Sequence, residues 1–156
     1  MRTAIAVDAR PRRVIYFDSA YIAKFYFEEP DSAAVAALAA ASGRVHSSVL
    51  GKLEVSSVFH RKLRERAIDE RGRAAIERQF RADCALEMWL WIPVTQALID
   101  RARAVYTRAS KRQFMRAADA LHLASASEHG FREIYTNDRH VLAAASLFGL
   151  RGVVAA

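Results

Sequence analysis

Short apolar runs rich in β-branched and aromatic residues alternate with helical segments along the chain. Each run is too short for a helix, and the segments between them carry apolar residues at intervals of three or four positions. Strands that alternate with helices form a parallel sheet covered on both faces. The sequence therefore predicts a three-layer α/β fold with a central sheet of four to five strands. The predicted strands are Val14–Phe17, Arg44–Val49, Trp91–Val94, Glu133–Thr136 and a last short one within 152–155.

Several residues predict where the helices begin and end. Thr95 is a suitable N-cap for a helix over 96–109, because its hydroxyl can accept a free backbone N–H. Gly130 and Gly149 are expected to end the helices that precede them. Gly72 predicts a break or a kink, so that the next helix carries residues 76–90.

The chain is strongly basic, with 24 Lys and Arg residues against 17 Asp and Glu and a net charge of +7. Arginine, the side chain best shaped to hold phosphate, accounts for 20 of those basic residues. The charge is compatible with a polyanionic partner, but the base composition of a genome explains it almost equally well. Cys84 is the only cysteine, which excludes an internal disulfide and a cysteine-rich metal site.

A length of 156 residues suits one domain, predicted over residues 14–156 after a disordered lead-in at 1–13. The longest apolar runs, such as the one beginning at Ala33, are too short to span a bilayer, and no signal peptide is evident. We therefore expect a cytoplasmic protein without a membrane segment.

Four acids stand where a parallel sheet binds its ligands, at the carboxyl ends of strands. Asp18 directly follows the first predicted strand, and Asp138 follows the fourth with one residue between. Glu54 lies one turn into the helix after the second strand, within its apolar stripe. Asp119 lies in the opening turn of a later helix. The topology places all four at one edge of the sheet.

Each acid also has a simpler interpretation. Asp18, Asp119 and Asp138 are suitable helix caps or first-turn acids, and Glu54 could pair with a buried arginine. Taken together, however, four carboxylates at one edge repel each other and need a counter-charge. Mg²⁺ or Mn²⁺ supplies it, because these ions prefer carboxylate oxygens and water as ligands.

Three segments carry a resemblance to a known family: IYFDSAYIAKFYFEEP, SSVLGKLEVSSVF and RAADALHLASASEHGFREIYTNDRHVLAAA. They are similar to the signature blocks of PIN domains, specifically of VapC-type toxin ribonucleases, and the match runs over nearly the whole chain. The resemblance implies a PIN fold and a catalytic set that binds Mg²⁺ or Mn²⁺. Asp18 and Asp119 are expected as direct metal ligands, and Glu54 and Asp138 as ligands directly or through water.

The resemblance also implies an endoribonuclease that leaves a 5′-phosphate and a 3′-hydroxyl, that forms a homodimer and that is inhibited by a VapB-type antitoxin. Ser19 and Thr136 match residues expected to support the acids. Basic residues must hold the RNA around an acidic site. The candidates are Arg116, Arg112, Lys24 and Arg139. His122 could contact the site, although a place in the core is the preferred interpretation.

Other functions fit less well. A haloacid-dehalogenase phosphatase would need an aspartate at position 20, which is Ala20, and a nucleotide-binding protein would need a glycine-rich loop that the sequence lacks. The remaining alternative is a catalytically idle PIN-fold module that binds nucleic acid within a regulatory complex. Four retained acids argue against it, because clustered negative charge does not help RNA binding.

Overall fold

A computed structural model describes residues 13–156, and five parallel strands form its centre. Three strands pair in the order β1-β2-β3, and β4 pairs with β5. A single parallel bridge between Phe17 and Tyr135 joins the two groups, which gives the spatial order β3-β2-β1-β4-β5. The strands are β1 Val14–Tyr16, β2 Arg44–Ser48, β3 Trp89–Ile92, β4 Glu133–Tyr135 and β5 Arg151–Val153. The predicted lead-in lies, except for Arg13, outside the described residues.

Seven α-helices and one 3₁₀ turn connect these strands within residues 13–156. None of the helices in this range is both long enough and apolar enough to cross a bilayer. The helices are α1 Ser19–Lys24, α2 Ser32–Ala41, α3 Leu50–Arg64, α4 Glu70–Ala85, α5 Gln96–Tyr106, α6 Ala117–Glu128 and α7 Arg139–Ala144, and the 3₁₀ turn is Ala145–Phe148.

The sheet separates two apolar cores, because successive residues of a strand point to opposite faces. Ile15 and Phe17 pack into one core with side chains of α1 to α4, whereas Tyr16 between them packs into the other with side chains of α5 to α7. The helices therefore lie in two layers around the sheet. This arrangement confirms the predicted three-layer α/β architecture and its four to five parallel strands.

Several predicted boundaries are wrong: α4 ends at Ala85 rather than at 90, α5 ends at Tyr106 rather than at 109, and the regions around Gly72 and Trp89 differ as follows. Gly72 does not interrupt a helix; it lies in the first turn of α4, where its N–H donates to the Asp69 carboxylate at 2.7 Å and Asp69 caps the helix. The third strand covers 89–92 rather than 91–94, because Trp89 pairs in register with Val45 of β2. The Thr95 cap is confirmed, since its hydroxyl oxygen accepts the N–H of Leu98 at 3.2 Å.

The end of β1 is fixed between its two neighbours. The N–H of Phe17 donates to the carbonyl of His46 in β2 at 3.0 Å, and the N–H of Asp18 donates to the carbonyl of Tyr135 in β4 at 3.2 Å. Because the backbone at 17–18 is hydrogen-bonded to β2 on one side and to β4 on the other, the backbone conformation of Asp18 is restricted. The chain thus presents the Asp18 carboxylate at a defined point of the sheet edge.

Candidate active site

The four acids predicted from the sequence line one cleft at the carboxyl edge of the sheet. Asp18 follows β1, Asp138 precedes α7, Glu54 lies in α3, and Asp119 is the third residue of α6. The cleft has a volume of about 400 Å³. Its lining residues are Asp18, Ser19, Ala20, Glu54, Ser57, Arg61, Arg116, Ala118, Asp119, His122, Asp138 and Val141.

Asp18 is the most deeply buried of the four, with 4% of its surface exposed. One carboxylate oxygen accepts the N–H of Tyr21 at 2.9 Å and so caps α1, and the other accepts the hydroxyl of Thr136. Burial raises the pKa of Asp18 to about 6, although both hydrogen bonds act to lower it. The ionised carboxylate is therefore short of charge compensation, as expected for a group that binds a cation.

A chain of hydrogen bonds that begins in the sheet holds Glu54. The N–H of Ser48 donates to the Tyr16 hydroxyl at 2.9 Å, and this hydroxyl lies 3.1 Å from Nδ1 of His122. Nε2 of the same ring lies 2.6 Å from the Glu54 carboxylate. Because an ionised carboxylate only accepts hydrogen bonds, Nε2 is the donor. Burial acts to raise the pKa of Glu54, but His122, together with Ser19 and Arg116, holds that pKa below its usual range.

A single guanidinium joins the other two acids. Arg116 contacts Asp119 with both arms, at 2.7 Å from Nε and 3.1 Å from Nη2, and Nη2 also donates to Asp138. These bonds raise the pKa of Arg116. Burial acts to raise the pKa of Asp138, but Arg116 holds it below its usual range. The Arg116 side chain is half exposed, so it can leave the acids without unpacking the core.

The donor set fits a small, hard divalent cation, because it consists of carboxylate oxygens beside a water-accessible cleft. Within residues 13–156, however, no three His, Cys, Asp or Glu side chains stand ready to chelate an ion in their present positions. The contacts explain why. The Glu54 carboxylate is hydrogen-bonded to His122, and Arg116 bridges Asp119 and Asp138. An ion held by Asp119 or Asp138 would therefore have to take the place of Arg116 there.

The basic residues predicted to hold RNA lie in different places. Arg116 lines the cleft, and Arg112 and Arg139 are exposed nearby on the segments that lead to Arg116 and follow Asp138. Lys24 does not reach the cleft, because its ammonium group pairs with Glu29 at 3.5 Å and with Asp31. The Lys24 side chain is 11% exposed and lies outside the cleft lining.

Comparison with known families gives one decisive match: the model of the PIN domain matches residues 15–147. The chain belongs to the PIN domain family. This match confirms the family resemblance seen in the sequence. A comparison with curated proteins found no match.

Solved structures share the fold of this PIN domain. VapC20 of Mycobacterium tuberculosis, described as a toxin that cleaves the sarcin–ricin loop, is similar with a TM-score of 0.65 and 18% identity, over 88% of this chain and 98% of that one. FitAcB of Neisseria gonorrhoeae gives a TM-score of 0.67 and 15% identity, over 88% and 95%. FitAB bound to a DNA fragment gives a TM-score of 0.64 and 18% identity, over 90% of this chain and 94% of that one. At these identities the likeness shows the fold alone.

The sequence did not assign Arg61 and Ser57 to the PIN domain's cleft, which they line, or Tyr16 to the hydrogen-bond chain behind it. Arg61 lies seven residues after Glu54 and Ser57 three, so both share its face of α3, and this spacing could have indicated them. Tyr16 carries no such signal, because a tyrosine within a strand is indistinguishable from a core residue. His122 is 3% exposed and so lies in the core as preferred, yet it also contacts Glu54.

Proposed function

We propose that the protein is a Mg²⁺- or Mn²⁺-dependent endoribonuclease and the toxin of a VapBC-type toxin–antitoxin pair. The observation that carries the proposal is the convergence of Asp18, Glu54, Asp119 and Asp138 on one cleft. Membership of a nuclease-type family supports it, since PIN domains generally use divalent metal ions. The VapC20 toxin, with the same fold, is described as cleaving the sarcin–ricin loop.

Asp18 and Asp119 would hold the ion directly, and Glu54 and Asp138 directly or through water. When bound, the ion lowers the pKa of a coordinated water and offsets negative charge on the phosphodiester oxygens. The chain itself supplies the orientation of these ligands. Thr136 and the N–H of Tyr21 fix the two oxygens of Asp18.

The remaining residues of the cleft position the acids and the substrate. His122, held by Tyr16, orients the Glu54 carboxylate toward the cleft. Arg116 already binds two oxygens of one carboxylate, and a phosphate offers the same pair of acceptors. We propose that Arg116 exchanges its carboxylates for the RNA backbone when the ion is bound.

The test is cleavage of RNA by the purified protein with Mg²⁺ or Mn²⁺, with new 5′ ends mapped by sequencing. Asp18→Asn and Asp119→Asn are expected to abolish cleavage while the far-UV spectrum stays unchanged, because each removes a ligand charge. Asp100→Asn is the matched control, since Asp100 is an exposed aspartate of α5 outside the cleft lining. Undiminished cleavage by either cleft variant would overturn the assignment.

We also propose that the protein is cytoplasmic, forms a homodimer and binds a VapB-type antitoxin whose basic residue enters the cleft. The contact of Arg116 with Asp119 and Asp138 supports the last point, because it shows that the cleft accommodates a guanidinium. Co-expression with the neighbouring gene product and size-exclusion chromatography test both the partner and the oligomeric state. A monomeric protein that does not bind the neighbouring gene product would contradict both the proposed homodimer and the proposed antitoxin.

One observation favours the alternative of a catalytically idle nucleic-acid-binding module. Arg116 contacts both Asp119 and Asp138, so its single positive charge offsets part of their mutual repulsion without an ion. Expression in cells decides between the two functions. New RNA 5′ ends in the wild type that disappear in Asp119→Asn support the nuclease, and their absence from both supports the idle module.

A further inference from the structure

The connection between α5 and α6, residues 107–116, presents an aromatic side chain to solvent close to the acidic cleft. Phe114 is 59% exposed, yet its ring packs on the ring of His140 with centroids 4.5 Å apart and planes inclined by 53°. His140 donates its N–H to the Asp138 carboxylate at 2.8 Å, and Phe114 lies two residues before Arg116. Each member of the aromatic pair is therefore two residues from a residue of the acidic cleft: His140 from Asp138, and Phe114 from Arg116.

A shallow cleft of about 230 Å³ opens beside this pair. Phe114 and His140 form its aromatic side, Ala143 and Ala144 are small, and Arg112 lies at its rim. Neither Arg112 nor Arg139 forms an ion pair with a carboxylate of residues 13–156, and both are exposed. The surroundings of the exposed aromatic ring are thus positively charged.

The connection holds its shape without burying Phe114. The Tyr106 hydroxyl donates to the carbonyl of Met115 at 2.9 Å. Ser110 and Gln113 close a turn through two hydrogen bonds, from the Ser110 N–H to the Gln113 side chain at 2.8 Å and from the Gln113 N–H to the Ser110 carbonyl at 2.9 Å. A surface held in one conformation binds a ligand with little loss of entropy.

A single exposed apolar residue is ordinary on a protein surface and needs no function. Phe114 differs in three respects. Its ring packs on the inclined ring of His140, hydrogen bonds hold the backbone of the connection, and the charged residue that lines the cleft beside it is an arginine, Arg112. An exposed ring bordered by unpaired cations is the combination with which proteins bind single-stranded nucleic acid, because bases stack on the ring and phosphates pair with the cations.

We propose that Phe114 and His140 form a stacking platform for one unpaired nucleobase of the RNA substrate, with Arg112 and Arg139 at the adjacent phosphates. The inference rests on the proposed endoribonuclease function and specifies the form of RNA that the site takes. A base within a duplex has both faces covered, so the platform selects a single-stranded segment or a loop. It tolerates different bases, because every base offers a flat face.

Binding of a short, unstructured, fluorescently labelled RNA, followed by anisotropy in EDTA so that no cleavage occurs, tests the proposal. Phe114→Ala is expected to weaken binding about tenfold or more. Phe114→Leu keeps the apolar bulk without a flat ring and should bind as weakly, whereas Phe114→Trp should bind at least as tightly as wild type. Leu86→Ala is the matched control, because Leu86 is 81% exposed and lies after α4, outside both clefts.

Two results would overturn the platform: wild-type affinity of Phe114→Ala, or equal affinities of the leucine and tryptophan variants. A duplex RNA of the same length supplies a further check, since Phe114→Ala should leave its binding unchanged. Equal loss for both RNAs would indicate a general charge or folding defect and would refute base stacking.

Cleavage separates this inference from the function on which it rests. In the presence of Mn²⁺, Phe114→Ala is expected to raise KM while kcat stays within about twofold, because the platform binds substrate away from the reacting phosphate. If the wild type cleaves RNA and Phe114→Ala matches it in KM, only the platform is refuted. If the wild type neither binds nor cleaves RNA, the proposed function is refuted as well.

Discussion

Replacing Asp18 by asparagine is predicted to stabilise the metal-free protein. Burial raises the pKa of this carboxyl from 3.8 to about 6. At about 1.4 kcal/mol per pKa unit, the folded protein carries a cost of about 3 kcal/mol for keeping the group ionised at neutral pH. Asparagine has nearly the same shape and no charge, and it can still accept the N–H of Tyr21. We expect a gain of about 1–3 kcal/mol, because part of the relief is lost with the charged hydrogen bond from Thr136.

The gain from Asp18→Asn must depend on pH with a definite sign. Between pH 3.8 and about 6 the folded wild type binds more protons at Asp18 than the unfolded chain does. The contribution of this group to wild-type stability is therefore greatest below the unfolded pKa and is lost as the pH rises through the folded pKa. The variant lacks this dependence. Its advantage should be full above pH 6 and should shrink toward pH 4.

Urea denaturation in EDTA at a series of pH values measures this advantage as a difference in the free energy of unfolding. Asp83→Asn is the matched control, because Asp83 is a buried aspartate of α4 whose carboxylate accepts hydrogen bonds from Tyr26 and Gln79 at 2.6 and 2.8 Å. No gain is expected there. A destabilised Asp18→Asn at pH 7.5, or a gain that is independent of pH, would refute the reasoning. Added Mn²⁺ should reverse the order by stabilising only the wild type.

Two further substitutions test the partners of the acids. Arg116→Gln removes the cation that would compete with a metal ion for Asp119 and Asp138. Mn²⁺ should therefore bind more tightly, as measured by calorimetry, while the melting temperature of the metal-free protein falls. Weaker Mn²⁺ binding would contradict competition between Arg116 and the ion. Tyr16→Phe leaves the buried N–H of Ser48 without an acceptor and removes the hydroxyl beside His122. The free energy of unfolding, measured by urea denaturation, should fall by about 1–3 kcal/mol. Because His122 is then less well held, kcat should fall by a larger factor than KM rises. An unchanged kcat would show that the orientation of Glu54 does not depend on Tyr16.

The order of strands and helices could be predicted because each strand's apolar run is bounded by a clear signal. Thr95 and Gly149 mark helix ends by their own chemistry, and Gly149 indeed adopts a φ of 70°. The boundaries around Gly72 and Trp89 could not. Gly72 follows Asp69, and the cap bond between them overrides the weak helix propensity of glycine. The start of β3 is set by its register with β2, which local sequence does not encode.

The positions of the acids could be predicted, because a residue that follows a parallel strand has only one edge to occupy. Their partners could not. The sequence left open a buried arginine for Glu54, whereas the structure pairs it with His122, and it placed Arg116 near RNA without indicating its contact with two carboxylates. The pairing with His122 and the bond from Arg116 to Asp138 join side chains that are far apart in the sequence, so no local sequence pattern predicts them.

The partners of the acids differ in how readily they could make way for the proposed metal ion. Glu54 is hydrogen-bonded to His122, which is buried and cannot leave, whereas Asp119 and Asp138 pair with Arg116, which is half exposed and can. Asp18 has hydrogen bonds but no cation within bonding distance among residues 13–156. A divalent ion would therefore gain most at Asp18, and holding it with Asp119 as well would require only Arg116 to leave its partners. Arg116 would then be available to pair with a phosphate of the proposed RNA substrate.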